Sequence, residues 1–142
     1  MEALPSKESR NNINIATFVS MTDEIASIME SLPVSYSKTL CEHMKRIGCT
    51  VETLSAVSGL TDRTIKRHRM GEILRPPLAN VIAICVGLKL HPIYSFDLIA
   101  KAGHHLTSSK EDTVFNIVLL SMADMEIAEI NKYLKAVGVK PL

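Results

Sequence analysis

Tryptophan is absent from this 142-residue chain, and aromatic residues make up only 4% of it. Its core must therefore be aliphatic, with seven Met as adaptable filler. Long apolar runs are missing too. Val81–Leu88 is among the longest, far short of the roughly 20 residues that span a bilayer. The opening MEALPSKESRNN has no apolar stretch of the kind a secretion signal needs, so no such signal and no membrane partner are expected. Cysteine is sparse and odd in number: Cys41, Cys49 and Cys85 lack the rhythm of a disulfide scaffold. Reduced, core-filling thiols in a cytoplasmic protein are the expectation. Cys49, just ahead of a helix start, reads first as a buried structural thiol and only second as a low-titrating redox sensor.

Motifs for chemistry are equally scarce. There is no HExxH, no paired CxxC, no GxSxG, no phosphate-binding glycine loop and no GxGxxG. His104 and His105 are adjacent and point to different sides, and Cys41 and His43, two apart on a helix, face apart. No metal, no cofactor and no enzymatic activity are expected.

What the chain does have is apolar content, 46%, sufficient for the core of one domain with an appendage. The net charge of +1 argues nothing alone, but the charge is unevenly placed. Residues 38–75 hold eight Lys or Arg against four acids, leaving the remainder acidic.

The pattern along the chain predicts an all-α fold. Residues 1–12 are polar, contain Pro5 and are expected to be disordered. Residues 12–19, NINIATFV, alternate and read either as a short strand or as the lead-in to a helix. Thr22, followed by Asp23 and Glu24, reads as the cap of a helix with Ile25, Ile28, Met29 and Leu32 on one face, ending at Pro33. Further helices are expected over Ser35–Ile47, Val51–Ser58, Asp62–Met70, Leu78–Leu88 and Ser95–Ala102. Asp112–Ser121 and Met125–Ala136 give one or two more. The expected organisation is an extension over 1–34, a helical domain over 35–105 and a C-terminal helical extension over 106–142.

Residues 50–71, TVETLSAVSGLTDRTIKRHRMG, are the most informative stretch. Thr50 and Thr61 stand where they cap two short helices, and Gly59 stands where a tight turn needs a left-handed backbone. Ser55 is small where the two helices are expected to cross closely, and Leu54, Val57, Leu60 and Ile65 are expected to bury. The second helix carries Arg63, Lys66, Arg67 and Arg69 against one acid, Asp62. Such a helix brings positive charge and hydrogen-bond donors to the major groove of DNA. The alternative for any run of charge is a solvated face with no ligand.

This stretch resembles the helix-turn-helix of the phage-repressor and Cro family, the xenobiotic-response-element type of bacterial regulator. The likeness is gapless from Thr50 to Gly71 and takes in Glu52, Leu54, Ser55, Gly59, Leu60, Thr64 and Ile65. It continues through Pro76-Pro77, the segment NVIAICVGL and the segment LIAKAG, covering about residues 36–103. It implies a lambda-repressor-like five-helix domain, here with an extra N-terminal helix and C-terminal helices. It also implies a transcriptional regulator, in the first instance a repressor, that binds double-stranded DNA as a homodimer. Carried over by position, Asp62, Arg63, Lys66 and Arg67 are the candidates for base edges. Lys45, Arg46, Thr50, Thr61, Thr64, Arg69 and Arg75 are the candidates for phosphate.

Two positions depart from the family. Val51 stands where a phosphate-touching Gln is usual. His68 stands where an apolar residue is usual, and reads as a half-buried polar group or, second, as a phosphate donor. The dimer surface has two candidates. One is the N-terminal helix; the other is the series Met125, Ile127, Ile130, Leu134 and Val137, whose simpler reading is core packing. A different class of function also fits this fold: a protein-interaction module, antitoxin-like or a regulatory partner of a larger enzyme, engaged through the terminal helices.

Overall fold

Short polar side chains start most of the helices in this chain. The computed structural model describes residues 14–142, so the disorder expected for residues 1–12 lies outside the described residues. Among the described residues there are eight helices and no strand. The chain divides between Leu32 and Pro33 into two units, which are taken separately.

The first unit contains α1, Ile15–Ser31. Asn14 caps it, its side-chain oxygen accepting from the Thr17 amide at 2.8 Å. Of the two readings of residues 12–19, the helical one holds from Ile15 onward, and one expectation is corrected: Thr22 lies inside the helix instead of capping it. The reason is legible in hindsight: Ile15, Phe18, Val19 and Thr22 satisfy a three-and-four spacing as well as the partial alternation that suggested a strand. Asn14 is also as strong a cap as Thr22.

The second unit begins with α2, Tyr36–Ile47, capped by Ser35 and closed by Gly48 in the left-handed region. Then come α3, Val51–Ser58, and α4, Asp62–Met70. Two proline-started helices follow. α5 spans Leu78–Gly87 behind Pro77, and α6 spans Pro92–Lys101. α6 begins three residues earlier than its expected start at Ser95, because Pro92 suits a first turn and His91 Nδ1 accepts from the Ile93 amide at 3.2 Å. α7, Lys110–Ser121, also starts early, since Ser109 accepts from the Asp112 amide at 3.1 Å. α8 spans Ile127–Ala136.

The core forms around α5. Val81, Ile82, Ala83, Ile84, Cys85 and Val86 are all buried, so this helix is apolar on every side and lies inside the unit. It packs against α3, α6, α7 and α8, while α2 packs on α4 and α6. Each large aliphatic side chain taken from water contributes roughly 1.5–3 kcal/mol, and Leu40, Leu54, Ile65, Leu98, Ile130 and Leu134 are each fully buried in addition to those of α5. Residues 106–142 therefore add α7 and α8 to the same core. α8 directs Ile130 and Leu134 into it. The segment after α8 is tied back by Asn131, whose Oδ1 accepts from the Leu142 amide at 2.8 Å.

Candidate nucleic-acid interface

The pair α3–α4 is joined by Gly59, Leu60 and Thr61, and the sequence fixes the turn at three levels. Gly59 takes φ +78°, in the left-handed region that glycine enters most readily, and its missing side chain faces open space. Two serines of α3 then grip Leu60 from either side: Ser55 Oγ donates to the Leu60 carbonyl at 2.6 Å, and Ser58 Oγ accepts from the Leu60 amide at 3.1 Å. Thr61 caps α4, accepting from the Thr64 amide at 3.2 Å. Thr50 does the same for α3 with the Thr53 amide at 3.1 Å.

The hydroxyl of Ser55 is spent on the turn. Helix α3 also meets α5 closely. The tight crossing is at Gly87, at the end of α5, where a Cβ would lie 3.2 Å from Leu54 Cδ1, 3.3 Å from Val57 Cγ2 and 3.4 Å from Ser58 Cβ. Of the four apolar residues expected to bury, Leu54 and Ile65 do so fully, while Val57 and Leu60 are half-buried at the edge.

Helix α4 has two faces. Ile65 and His68 are buried. Arg63, Lys66, Arg67 and Met70, spaced at three and four residues, are exposed on the other side. With Asp62 and Glu72 they line one shallow open depression. Asp62 in the first turn and Arg67 and Arg69 in the last complement the helix dipole. Lys66, Arg69 and Met70 also border a smaller depression beside Cys41. All four base-edge candidates thus share one surface.

The phosphate candidates are more dispersed. Lys45, Thr50, Thr61, Arg69 and Arg75 are exposed, and Thr64 is half-buried. Arg46 is exposed but engaged: its guanidinium lies 2.8 Å from His43 Nδ1 and 4.8 Å from the centre of the Tyr94 ring. Arg75 runs beside Gly103.

His68 is not the half-buried group expected from sequence, nor a phosphate donor. It is fully enclosed, and its Nδ1 shares a 2.8 Å hydrogen bond with the Tyr36 hydroxyl. Burial, and then the charge of Arg67, hold its pKa below the ordinary imidazole value. His43, equally enclosed, is pulled down to about 4 by burial and then by Arg46. Both rings are neutral at pH 7, and both leave Nε2 buried without a partner. Tyr36 is pushed far upward by burial, so its hydroxyl stays protonated.

Two further residues escaped sequence reading. Glu72, just beyond α4, lies 3.6 Å from Arg67 Nε. Cys41 donates from Sγ to the Arg69 carbonyl at 3.6 Å, a second link between α2 and α4. Their partners are distant in sequence or across a helix end, and no periodicity marks them. The suggestion of a low-titrating Cys49 is overturned. Burial raises its pKa.

Among the described residues no group of three His, Cys, Asp or Glu is placed to hold a metal ion, and no helix is long and apolar enough to cross a membrane. No family model, curated protein or solved structure matches the chain.

Proposed function

We propose that this chain is a sequence-specific DNA-binding regulator that reads the major groove with α4. In this reading α2–α6 form a phage-repressor-like helix-turn-helix domain acting in the cytoplasm. The observation that carries it is the division of α4: Ile65 and His68 anchor one side, and Arg63, Lys66 and Arg67 stand exposed together on the other. A solvated charged face with no ligand has no need of a turn braced by Gly59, Ser55, Ser58 and Thr61.

The chemistry follows from the donor set. Arg63 and Arg67 offer the planar fork that pairs with guanine O6 and N7, each such pair contributing roughly 1–3 kcal/mol of discrimination. Asp62 accepts from a cytosine amine. Lys45, Arg69 and Arg75 neutralise phosphates, and the N-terminal ends of α3 and α4 present partial positive charge to the backbone. Repression is then by occupancy: a duplex held by the protein is closed to polymerase.

The test is a titration of duplex DNA by the parent and by a variant carrying both Arg63→Ala and Arg67→Ala, across a range of salt. The parent is expected to bind with an affinity that falls steeply as salt rises, through release of counterions. The double variant is expected to lose discrimination between duplexes while keeping much of the salt dependence. Equal affinity and selectivity in the two proteins would sink the proposal. Absence of any duplex binding at low salt, with capture of a protein partner instead, would move the chain to the interaction-module class.

A further inference from the structure

Helix α1 carries a pattern that nothing in the DNA reading uses. Numbered in sevens from Ile15, the seam positions are Ile15, Phe18, Thr22, Ile25 and Met29, and the positions flanking the seam are Val19, Met21, Ala26 and Ile28. The remaining positions hold Ala16, Thr17, Ser20, Asp23, Glu24, Ser27, Glu30 and Ser31. Apolar and polar residues are thus almost completely sorted, and the apolar stripe is broad. No residue of α1 is fully buried: Ile15 is 83% exposed and Phe18 63%, while Ile25, Ile28 and Met29 are half-buried.

Such a helix has little to hold it on its own. It is rich in Ile, Thr, Ser and Val, which are weaker helix formers than Ala or Leu. It has no acid in its first turn, no base in its last, and no Lys or Arg to form a pair along it. Among the described residues its local supports are the Asn14 cap and the bond from the Ser31 hydroxyl to the Ile28 carbonyl. Stability has to come from burying the stripe.

From this pattern we infer that α1 is the self-association helix of the protein and that its apolar stripe is covered by the same stripe of a second copy. The charges favour this occupant. All three ionisable side chains, Asp23, Glu24 and Glu30, are acidic, which would set two identical helices against each other if they flanked the seam. They are confined to the far side, where a second copy does not bring them together, and the flanks that choose partners by charge in paired helices are uncharged. The other candidate, α8, spends Ile130 and Leu134 on its own core. The inference deepens the proposed function, since two copies present two α4 helices to two half-sites, but it stands on α1 alone.

The test is sedimentation equilibrium of the full chain without DNA, for the parent and for Phe18→Glu and Ile25→Glu, with Ser27→Glu on the polar side as control. Far-UV circular dichroism and thermal unfolding of each protein report whether α2–α8 remain folded. Parent and control are expected to be dimers. Each seam variant is expected to dissociate with a dimer constant weakened by about 100-fold or more, because a carboxylate enters an apolar interface. A parent that is monomeric at every concentration overturns the inference, as when the stripe lies against its own chain or awaits a different protein. Seam variants that remain dimers with the parent's constant overturn it as well. DNA binding is read separately on a duplex bearing one half-site: dimers that bind no duplex contradict the DNA reading alone, and a monomeric parent that binds it contradicts this one alone.

Discussion

Tyr36 and His68, thirty-two residues apart, share a 2.8 Å hydrogen bond in the interior and so fix the C-terminal half of α4 to the start of α2. Their rings are also in tilted contact, with centroids 5.7 Å apart. The turn grips α4 at its N-terminal end through Leu60 and Thr61, and Tyr36 holds it from behind. The exposed arginines thus stand on a helix held at both ends, which limits the ordering needed on binding.

Breaking that pair on one side is expected to be costly. Tyr36→Phe leaves His68 Nδ1 buried without a partner and should destabilise the protein by about 1–3 kcal/mol. His68→Leu alone should cost a similar amount through the orphaned Tyr36 hydroxyl. The double variant should be less destabilised than the sum of the two, because both polar partners leave together. Urea unfolding of the four proteins measures the coupling; additive losses would deny it.

Acid should weaken the fold within a defined window. His43 is neutral when folded and takes up its proton only near pH 4, whereas the unfolded chain takes it up near 6.5. His68 is shifted in the same direction. The unfolded state therefore binds more protons across that range, and stability is full above about pH 6.5 and falls as pH drops toward about 4, at up to about 1.4 kcal/mol per unit for His43, with His68 acting in the same direction. Urea midpoints measured from pH 7.5 to 4 check this, and the slope should become shallower in a His43→Asn variant.

Gly87 is where added bulk should be felt. A valine there must displace Leu54, Val57 and Ser58 on α3, all of them within 3.4 Å of a Cβ at that position. Gly87→Val should cost about 1–3 kcal/mol by overpacking. Gly59→Asn faces open space in a conformation asparagine tolerates and should cost clearly less. Thermal unfolding of the two variants ranks them.

Glu72 should act as a brake on DNA affinity. It lies 3.6 Å from Arg67, both side chains about half exposed. An exposed pair of this kind is worth roughly 0.2–1 kcal/mol, so Glu72→Gln should tighten duplex binding by up to about fivefold while leaving the unfolding midpoint nearly unchanged. Unchanged or weaker binding would show that Arg67 does not reach the duplex. Arg75→Ala, by contrast, should weaken all duplexes alike and lower the salt slope by about one.

Much of the helical order was legible in the sequence, because caps and stops are local. Thr50, Gly59, Thr61 and Gly71 mark the ends of α3 and α4 where the structure has them. The start of α1 was not, since Ile15 to Val19 fits two periods and Asn14 and Thr22 are equally good caps. The exposure of Arg63, Lys66 and Arg67 follows from their spacing around Ile65. The fate of His68 does not, because nothing local places Tyr36 against it. Arg46 shows the same limit: its basic charge and its neighbour His43 one turn earlier are plain, but its place over the Tyr94 ring is a long-range fact.

The most direct measurement is selection of bound duplexes from a random pool by the parent protein, followed by comparison of parent and the Arg63→Ala, Arg67→Ala double variant on the enriched sequence. Recovery of a defined sequence that the parent prefers and the double variant no longer distinguishes from a scrambled duplex is the predicted result. A pool that emerges as random as it began, at low salt and with folded protein, would contradict the claim that α4 reads DNA.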